Sequence, residues 1–419
     1  MTLKSTQLRN NTTFRVDFPN IPSFNLEPRS FRLFQEKGKH DYAEITFPSF
    51  SNFFYNVLKT GVPVKVTWSN EKGTGEFIGY VYAVTMTSQS TLVRPVVVKA
   101  LGAGFLMKQS ENKVWTNKTV SQIVTEIAKK FSLVPKVTPS KLLFAQHTMI
   151  GHTYWEKVLE FAERVGYVTQ VIGTELHFHP IDKMIDQFIT SVPILSFQDA
   201  ELDYTASYDG QTLDRFKPTI GDYVEHGQPN KKLKTISGID PVTGKLFSKT
   251  ASPTKVGQNL RKVTTDPFFS EFVPNRIAND EASAQDISEA LAQLARWHIP
   301  AEGTAQGDAR IAPYRTVQIN GTDDFTDSFW VVTKAVHSIF FDGRYTVDFS
   351  CVTDGTNGLN TSSIRKEPTS IAGKRNIDYE LSLSPTSKPS TSKLDSPNPT
   401  IKQTENGFAI NPSKWVGVK

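Results

Sequence analysis

The sequence predicts a β-rich α+β protein. Short segments in which apolar and polar residues alternate fill residues 1–110 and return after residue 309. Between them, residues 111–195 contain two amphipathic helical patterns followed by a hairpin pattern. Alternation with period two is typical of half-buried strands, whereas spacings of three and four are typical of helices. The chain has 419 residues, more than one typical core accommodates, so we expect two to four domains.

Residues 1–110 are predicted to form a closed antiparallel β-barrel. Alternating runs occupy residues 41–47, 62–68, 76–84 and 93–100. Turn-forming residues separate them, such as the glycine-rich segment before residue 76. Several short strands with regular turn signals favour a closed barrel over a parallel sheet.

A capped helix is predicted from about residue 119 to residue 131. Thr119 or Ser121 can accept hydrogen bonds from the free amides of its first turn. Ile123, Ile127 and Phe131 then recur at a spacing of four and mark the face toward the core.

A second helix, which contains Trp155 to Val165, is predicted to end at Gly166, a residue that tolerates the left-handed C-cap conformation. A hairpin is expected next, with strands at 167–171 and 175–178 and a turn at 172–174. Two apolar sets fit the core-facing side of the helix: Trp155, Leu159 and Ala162, or Val158, Phe161 and Val165.

Residues 196–308 form a more polar, mixed α+β region. Strands are predicted at 204–208 and 233–239, with a turn at 240–244. A helix is predicted from about residue 280 to residue 297, because acidic residues precede a run with spacings of three and four. Its core-facing residues would be Ala284, Ile287, Leu291, Leu294 and Ala295.

The next β-rich piece covers residues 309–358. Strands are predicted at 314–321, 328–337 and 345–352. Asp323 and Asp324 fall between the first two and are typical of a turn; a calcium loop would need further oxygen ligands that are missing.

Residues 359–419 are predicted to form an extended C-terminal arm. From residue 361 onward, 22 residues are Ser, Thr or Pro, a composition that buries too little apolar surface to fold alone. Four apolar side chains near the end are suited to pockets on a partner protein. They are Phe408, Ile410, Trp415 and Val416.

The charge is uneven along the chain. Residues 361–419 have nine Lys or Arg against five Asp or Glu, a net charge of +4 out of +5 for the whole chain. The nearly neutral remainder argues against a dedicated surface for duplex DNA, which would cluster basic residues. The single cysteine, Cys351, excludes an internal disulfide. The first residues lack the apolar run of a secretory signal, and no segment approaches the roughly 18 apolar residues of a membrane helix.

Three motifs lie in the centre of the chain. They are Trp-x-Asn-x-Thr-Val-x-x-Ile from residue 115, Tyr-Trp followed by Ala-Glu-x-x-Gly-Tyr between residues 154 and 167, and Thr-Glu-Leu-x-Phe-x-Pro from residue 174. In this order they resemble the central hub proteins of phage baseplates, a family that includes the late-control D proteins and the front part of the type VI secretion spike protein VgrG. The resemblance covers roughly residues 10–355 and is most specific between residues 114 and 180.

The resemblance implies a particular architecture and role. Residues 196–308 and 309–358 would build a second antiparallel barrel, so that an α+β domain, residues 111–195, lies between two barrels. Such hubs are homotrimers that present six barrels around one axis, and they join a sixfold tail tube to a threefold central spike while DNA passes through. Residues 361–419 have no repeat of a β-helical needle, so the spike would be a separate chain. The resemblance thus implies a cytoplasmically made protein of the virion tail baseplate, without cofactor or membrane insertion.

Few residues suggest chemistry. His177 and His179 alternate on one predicted strand, where an exposed face is the simplest interpretation; a metal site would need His147 or His152 as a third ligand. Gly102-Ala103-Gly104 lacks the third glycine of a dinucleotide-binding fingerprint and is typical of a tight turn.

Paired carboxylates are the signature of a muramidase, which some tail-tip proteins contain. Glu156, Glu160 and Glu163 would share a helix face, but a solvated surface is the simpler interpretation. Trp155, Trp297 and Trp330 are interpreted as core or interface aromatics rather than sugar-stacking residues. Two alternatives therefore stay open beside the hub: a tail-tip enzyme that degrades cell wall, and a structural tail-tip protein of a noncontractile phage.

Overall fold

The structure is a computed structural model, and the chain divides in it into two compact units, Met1–Leu359 and Asn360–Lys419. The residues that it describes are 12–21, 27–48, 56–86, 95–188, 192–196, 211–219, 224–225, 228–229, 233–240, 243–251, 270–272, 278–297, 299–321, 327–353, 402–404 and 407–409.

The N-terminal part of the larger unit consists of six antiparallel strands. They are β1 (Thr13–Asp17), β2 (Ser30–Glu36), β3 (Tyr42–Phe47), β4 (Pro63–Asn70), β5 (Gly73–Met86) and β6 (Val96–Gly102). Their order in the sheet is β1-β4-β5-β6-β3-β2. Buried residues alternate along β2 to β6, as Ala43, Ile45 and Phe47 do on β3. The four predicted strands are confirmed as β3, β4, β5 and β6.

The central α+β segment begins with a 3-10 helix, Ala103–Lys108, and then alternates strands and helices. Its elements are β7 (Lys113–Thr119), α1 (Val120–Lys130), β8 (Val134–Val137), β9 (Leu143–Met149), α2 (Tyr154–Val165), β10 (Val168–Ile172), β11 (Glu175–His179) and α3 (Ile181–Asp186). β7 pairs with β9, and β10 pairs with β11, which runs parallel to β8.

Both predicted helices of this segment are confirmed, and their ends follow the local sequence signals. Thr119 rather than Ser121 is the N-cap of α1, in a capping box with Gln122. Thr153 caps α2 in the same way, and Gly166 ends it with φ of 71°. Both apolar sets proposed for α2 pack into the core, because the helix is covered on two sides; only Leu159 is partly exposed.

Six strands make the other part of the large sheet. They are β12 (Ile194–Ser196), β13 (Gln211–Pro218), β19 (Ile299–Gln306), β20 (Thr316–Asn320), β21 (Ser328–Phe340) and β22 (Tyr345–Thr353). Their order is β21-β20-β12-β13-β19-β22, and β22 also pairs with β21, so the pairings form a closed cycle. β12 is parallel to both β13 and β20. The prediction that these strands are purely antiparallel is therefore wrong. Parallel neighbours need a long connection, and 14 residues, 197–210, separate β12 from β13 along the chain.

The two parts form one continuous twelve-stranded sheet. β2 pairs with β3 on one side and with β21 on the other, from Ser30 opposite Phe340 to Glu36 opposite Lys334. A single core cluster extends through both parts, from Phe31 and Trp68 to Trp330 and Phe349. The sheet is thus curled and strand-rich as predicted, while its separation into two barrel domains stays a prediction.

Residues 196–308 are shared between two parts of the fold. β13 and β19 join the sheet, whereas β16 (Leu233–Ile239), β17 (Leu246–Ala251), β18 (Ser270–Phe272) and α4 (Glu281–Arg296) stand beside the α+β segment. A further pair, β14 (Val224–Glu225) and β15 (Gln228–Pro229), forms a short hairpin. Ile236, Ala284 and Ile287 enter the core of the α+β segment. The predicted strand at 233–239 and the predicted helix are confirmed; the strand proposed at 204–208 lies outside the described residues.

The smaller unit is described only by a short antiparallel hairpin, β23 (Lys402–Thr404) with β24 (Gly407–Ala409). The backbone of Phe408 belongs to β24, and Phe408 lies opposite Gln403. Ile410, Trp415 and Val416 lie outside the described residues. The arm therefore contains strand pairing near its end, which its composition did not predict.

Candidate interaction surfaces

A buried polar contact joins the two parts of the sheet. Trp68 Nε1 on β4 donates a hydrogen bond to the hydroxyl oxygen of Tyr345 on β22 at 3.2 Å. Tyr345 in turn lies 2.8 Å from His337 Nδ1 on β21. An indole nitrogen only donates, so the tyrosine hydroxyl accepts from Trp68 and donates to His337. Burial lowers the pKa of His337 to about 4, which keeps the imidazole neutral and able to accept. Here, this Trp68–Tyr345–His337 contact is called the polar lock.

Two glycines make room for the polar lock. A Cβ at Gly75 would lie 2.1 Å from the Trp68 ring, and one at Gly307 would lie 1.8 Å from the Tyr345 ring. The carbonyl of Gly307 also accepts a hydrogen bond from Asn70 Nδ2 at 2.8 Å. Any side chain at either glycine would displace an aromatic ring of the lock.

The opposite face of the sheet, away from the core, has an apolar row that crosses five strands. Adjacent residues of this row are directly paired across β5, β6, β3, β2 and β21. All five side chains are half-buried and uncharged, and the Phe34 and Tyr42 rings are 5.5 Å apart. The outer apolar row consists of Tyr80, Leu101, Tyr42, Phe34 and Val336.

A charged row of alternating sign runs next to the outer apolar row. Lys99 is paired opposite Glu44, and Glu44 is paired opposite Arg32. The Arg32 guanidinium lies 5.0 Å from the centre of the Phe34 ring, and Glu44 accepts a hydrogen bond from the Tyr42 hydroxyl at 2.7 Å. An apolar centre with a polar border is typical of a protein–protein contact surface.

The prediction that His177 and His179 lie on an exposed strand face is wrong. His177 and His179 are both buried, because α3 and the residues after it fold over β11. His177 Nδ1 lies 3.1 Å from Gln187 Oε1, and its Nε2 lies 3.2 Å from Glu175 Oε2. Burial lowers the pKa of both imidazoles, to about 4 for His179. They pack as neutral side chains of the α+β segment.

The other two histidines considered as ligands lie elsewhere. His147 belongs to an aromatic cluster with Trp115, Phe144 and Phe161, while His152 is exposed. Across the stretches that the structure describes, no three His, Cys, Asp or Glu side chains are grouped so that they could hold a metal ion.

The three glutamates on α2, Glu156, Glu160 and Glu163, do not form the catalytic carboxyl pair of a glycosidase. Hydrogen bonds from Thr153 lower the pKa of Glu156, the capping-box carboxylate of α2. Burial raises the pKa of Glu160, but hydrogen bonding and charge from Lys157, together with the charge of Arg164, outweigh it, so the pKa is lowered. Neither carboxyl is held protonated near neutral pH, as the acid of a glycosidase must be.

The remaining candidates are mostly packing residues. Trp155 and Trp330 are buried, and Trp297 packs under Arg296 beside α3. The tight turn predicted at residues 102–104 is wrong: Gly102 ends β6, and Ala103 and Gly104 begin the 3-10 helix. A Cβ at Gly104 would lie 2.9 Å from His40 Nδ1. Asp323 and Asp324 lie outside the described residues.

Where the chain is described, none of its helices is both long and apolar enough to cross a bilayer.

Sequence reasoning did not identify the polar lock or the outer apolar row. Tyr345 and Trp68 are 277 positions apart, and nothing local marks them as partners. The row had a detectable signal, since the sequence of β2 alternates apolar Phe31 and Leu33 with outward Arg32 and Phe34. An outward aromatic residue on a strand is the feature that would have indicated it.

The fold has clear counterparts among solved structures. The tail protein from Neisseria meningitidis MC58 superposes with a TM-score of 0.54 at 12% identity, covering 82% of this chain and 97% of that one. The prophage MuSo2 43 kDa tail protein from Shewanella oneidensis gives a TM-score of 0.54 at 12% identity, covering 82% and 98%. No family model matches the sequence, and no curated protein matches it either. The predicted resemblance is thus confirmed as a shared fold with tail proteins.

Proposed function

We propose that this chain is a structural subunit of a phage tail or baseplate hub, or of a related contractile injection system. The observation that carries the proposal is the continuous sheet that joins the two six-stranded parts. The fold match to two proteins described as tail proteins, over nearly their whole length, supports it. A chain of this kind would act through its shape and its contacts, not through catalysis.

The hub would be a homotrimer. If each six-stranded part acts as one barrel, three chains place six similar barrels around one axis. Such a ring can contact a sixfold tail tube on one side and a threefold spike on the other. The polar lock and the β2–β21 pairing support this arrangement, because they hold the two parts of one chain in a fixed relation.

The ring would let DNA pass without specific binding. Phosphates bind dense Lys and Arg surfaces through counterion release, which would hold the DNA in a cationic channel. Outside residues 361–419 the chain has a net charge of only about +1, which is compatible with free passage. The proposed partners are therefore the spike, the tail tube protein and other baseplate proteins.

The oligomeric state tests the proposal directly. Native mass spectrometry of the purified chain, of 46.8 kDa, should give a trimer of roughly 140 kDa, and assembled particles should have threefold density at this position. A stable monomer or dimer in both preparations would contradict the hub. Zymography on peptidoglycan gives the complementary result: a clearing band would favour the cell-wall-degrading alternative.

The C-terminal arm is proposed to anchor a partner. Its net charge of +4 favours an acidic surface, and Phe408, Ile410, Trp415 and Val416 would supply the apolar contacts. Deleting residues 361–419 should leave the larger unit folded and the ring intact, while attachment of the spike or baseplate weakens. A matched variant that retains the arm but changes Trp415→Ser separates the apolar contacts from the charge. Normal yields of competent particles from the deletion would rule out this role.

A further inference from the structure

The hairpin of β16 and β17 has one buried face and one exposed face. Ile236 on β16 is fully buried, and Phe247 on β17 packs against the same core. Lys249 is the charged residue of β17, and it shares the inner face with Phe247, where it pairs with Glu281 at the start of α4. The hairpin is therefore held to the rest of the larger unit by its inner face.

The outer face of the hairpin has no charge. In each of its two hydroxyl pairs the side-chain oxygens lie 3.0 Å apart, so the hydroxyls bond to each other. Its apolar pair is unusually open to solvent, since Ile239 is 61% exposed and Leu246 is 82% exposed. Large apolar side chains exposed side by side are typical of an interaction surface. The three directly opposed pairs of this face are Thr235–Thr250, Ser237–Ser248 and Ile239–Leu246.

The outer edge of β17 offers backbone hydrogen-bonding groups. Among the described strands, β17 has β16 as a neighbour on one side and none on the other. The N–H of Asp240 donates to the carbonyl of Lys245 at 2.9 Å, and bonded and non-bonded pairs alternate along an antiparallel ladder. Leu246, Ser248 and Thr250 therefore direct their backbone N–H and C=O groups away from β16. Each supplies one donor and one acceptor to the outer edge.

This edge lacks the features that usually prevent pairing with another chain. Proteins protect edge strands with outward lysines, prolines or bulges. β17 has no proline, its register with β16 is unbroken, and Lys249 points to the inner face. The turn before β17 is also well fixed: Thr243 donates its hydroxyl to Asp240 Oδ2 at 2.7 Å, and Gly244 has φ of 68°. The edge is thus preformed, which lowers the entropic cost of binding.

We propose that the outer edge of β17 is a strand-addition site for an extended, uncharged segment of a neighbouring tail protein. Backbone donors and acceptors at alternate positions are complementary to another strand. Charge complementarity selects the kind of segment, because a neutral outer face matches a strand without charge on that face. Nucleic acid does not fit, since phosphates need cations and Lys249 is paired with Glu281.

The choice of a tail protein as the partner rests on the proposed function, whereas the free edge does not. A second copy of this chain is a poorer occupant. Two copies joined through β17 would be related by a twofold axis, which a threefold ring does not contain.

Peptide probes test the edge on the isolated full chain. The probe is a hexapeptide of alternating threonine and valine with N-methyl groups on the valines, so that it has one open edge and does not stack on itself. At saturation it should slow amide exchange at Leu246, Ser248 and Thr250 about tenfold, measured residue by residue. The matched control, the same hexapeptide with an N-methyl group on every residue, should give no protection.

A pair of variants at one position gives the complementary test. Ser248→Pro removes an outward N–H without removing a hydrogen bond to β16, and edge strands tolerate proline in this orientation. It should abolish the protection of Leu246 and Thr250 by the probe. Ser248→Val, which retains the N–H, should preserve that protection. In assembled tail particles the amides of Leu246, Ser248 and Thr250 should exchange more slowly than in the isolated chain.

The outcomes separate this site from the hub proposal. A trimer whose β17 amides are not protected by the one-edge peptide would overturn the strand-addition site and leave the hub in place. A monomer whose amides are protected would overturn the hub and support the site. Equal protection by the fully methylated peptide, or a dimer that Ser248→Pro abolishes, would contradict the proposal. The peptide comparison uses the unaltered chain, so it decides the question even if Ser248→Pro does not fold.

Discussion

Removing one hydroxyl group from the polar lock should destabilise the chain far more than its size suggests. Tyr345→Phe keeps the ring in place but leaves Trp68 Nε1 and His337 Nδ1 without a hydrogen-bond partner. Each buried polar group that loses its partner costs about 1–3 kcal/mol, so the loss of two partners should lower the free energy of unfolding by about 2–6 kcal/mol. The site cannot recruit water easily, because Trp68, His337 and Tyr345 are all at most 4% exposed.

The same substitution on the other face of the sheet is the control. The Tyr42 hydroxyl donates to Glu44 in the outer, half-exposed layer, where water can replace it. Tyr42→Phe should therefore cost less than about 1 kcal/mol. Urea unfolding followed by circular dichroism measures both changes, from the midpoint and the slope of each transition.

A double substitution tests whether the loss arises in the lock itself. Combining Trp68→Phe with Tyr345→Phe removes a donor that the single Tyr345→Phe variant leaves unpaired. The double variant should therefore lose less stability than the sum of the two single variants, by about 0.5–3 kcal/mol. Equal costs for Tyr345→Phe and Tyr42→Phe, or strict additivity in the double variant, would refute the reasoning.

Three further outcomes follow from the packing. Gly307→Ala should lower the free energy of unfolding by about 3 kcal/mol or more, measured by urea unfolding, because its Cβ would overlap the Tyr345 ring. Cys351 should react with a thiol reagent only as fast as the chain unfolds, since burial raises the pKa of its thiol and shields it; rapid labelling of folded protein would contradict this. Thr153→Ala should cost about 1 kcal/mol in the same unfolding assay, because the Glu156 backbone N–H loses the Thr153 hydroxyl as its acceptor; the pKa of Glu156 should stay lowered, since the backbone N–H of residue 153 still donates to its carboxylate, and an unchanged midpoint would argue against the cap.

Local signals predicted the helices and turns well, for physical reasons. α2 begins after Thr153, whose side chain accepts a hydrogen bond from the backbone N–H of Glu156. It ends at Gly166, which adopts the left-handed conformation because it has no side chain. The hairpin of β10 and β11 similarly depends on the turn at Gly173, with φ of 57°. These features need no information from distant parts of the chain.

Nonlocal pairing is what the sequence could not predict. β19 contains Pro300, Gly303 and two alanines, a composition that disfavours a strand, yet it pairs along its whole length with β22. The glycine is required there because a Cβ at Gly303 would lie 2.5 Å from the Phe349 ring. The requirement appears only once β19 and β22 are neighbours, so propensity alone gives the wrong answer for this segment.

The contacts within the larger unit differ in kind, and the difference bears on the proposed ring. The two parts of the sheet share backbone pairing from Ser30 to Glu36, a common core and the polar lock, so a change in their relative position would break all three together. The turn at Gly38 is instead attached to β10 through the side chain of Gln170. A hub that matches two symmetries needs its barrels fixed relative to each other, while the segment beside them can adjust to whatever it contacts. The contacts of this chain agree with that requirement, because three kinds of contact fix the two parts of the sheet, whereas the turn at Gly38 is attached by the side-chain hydrogen bonds of Gln170.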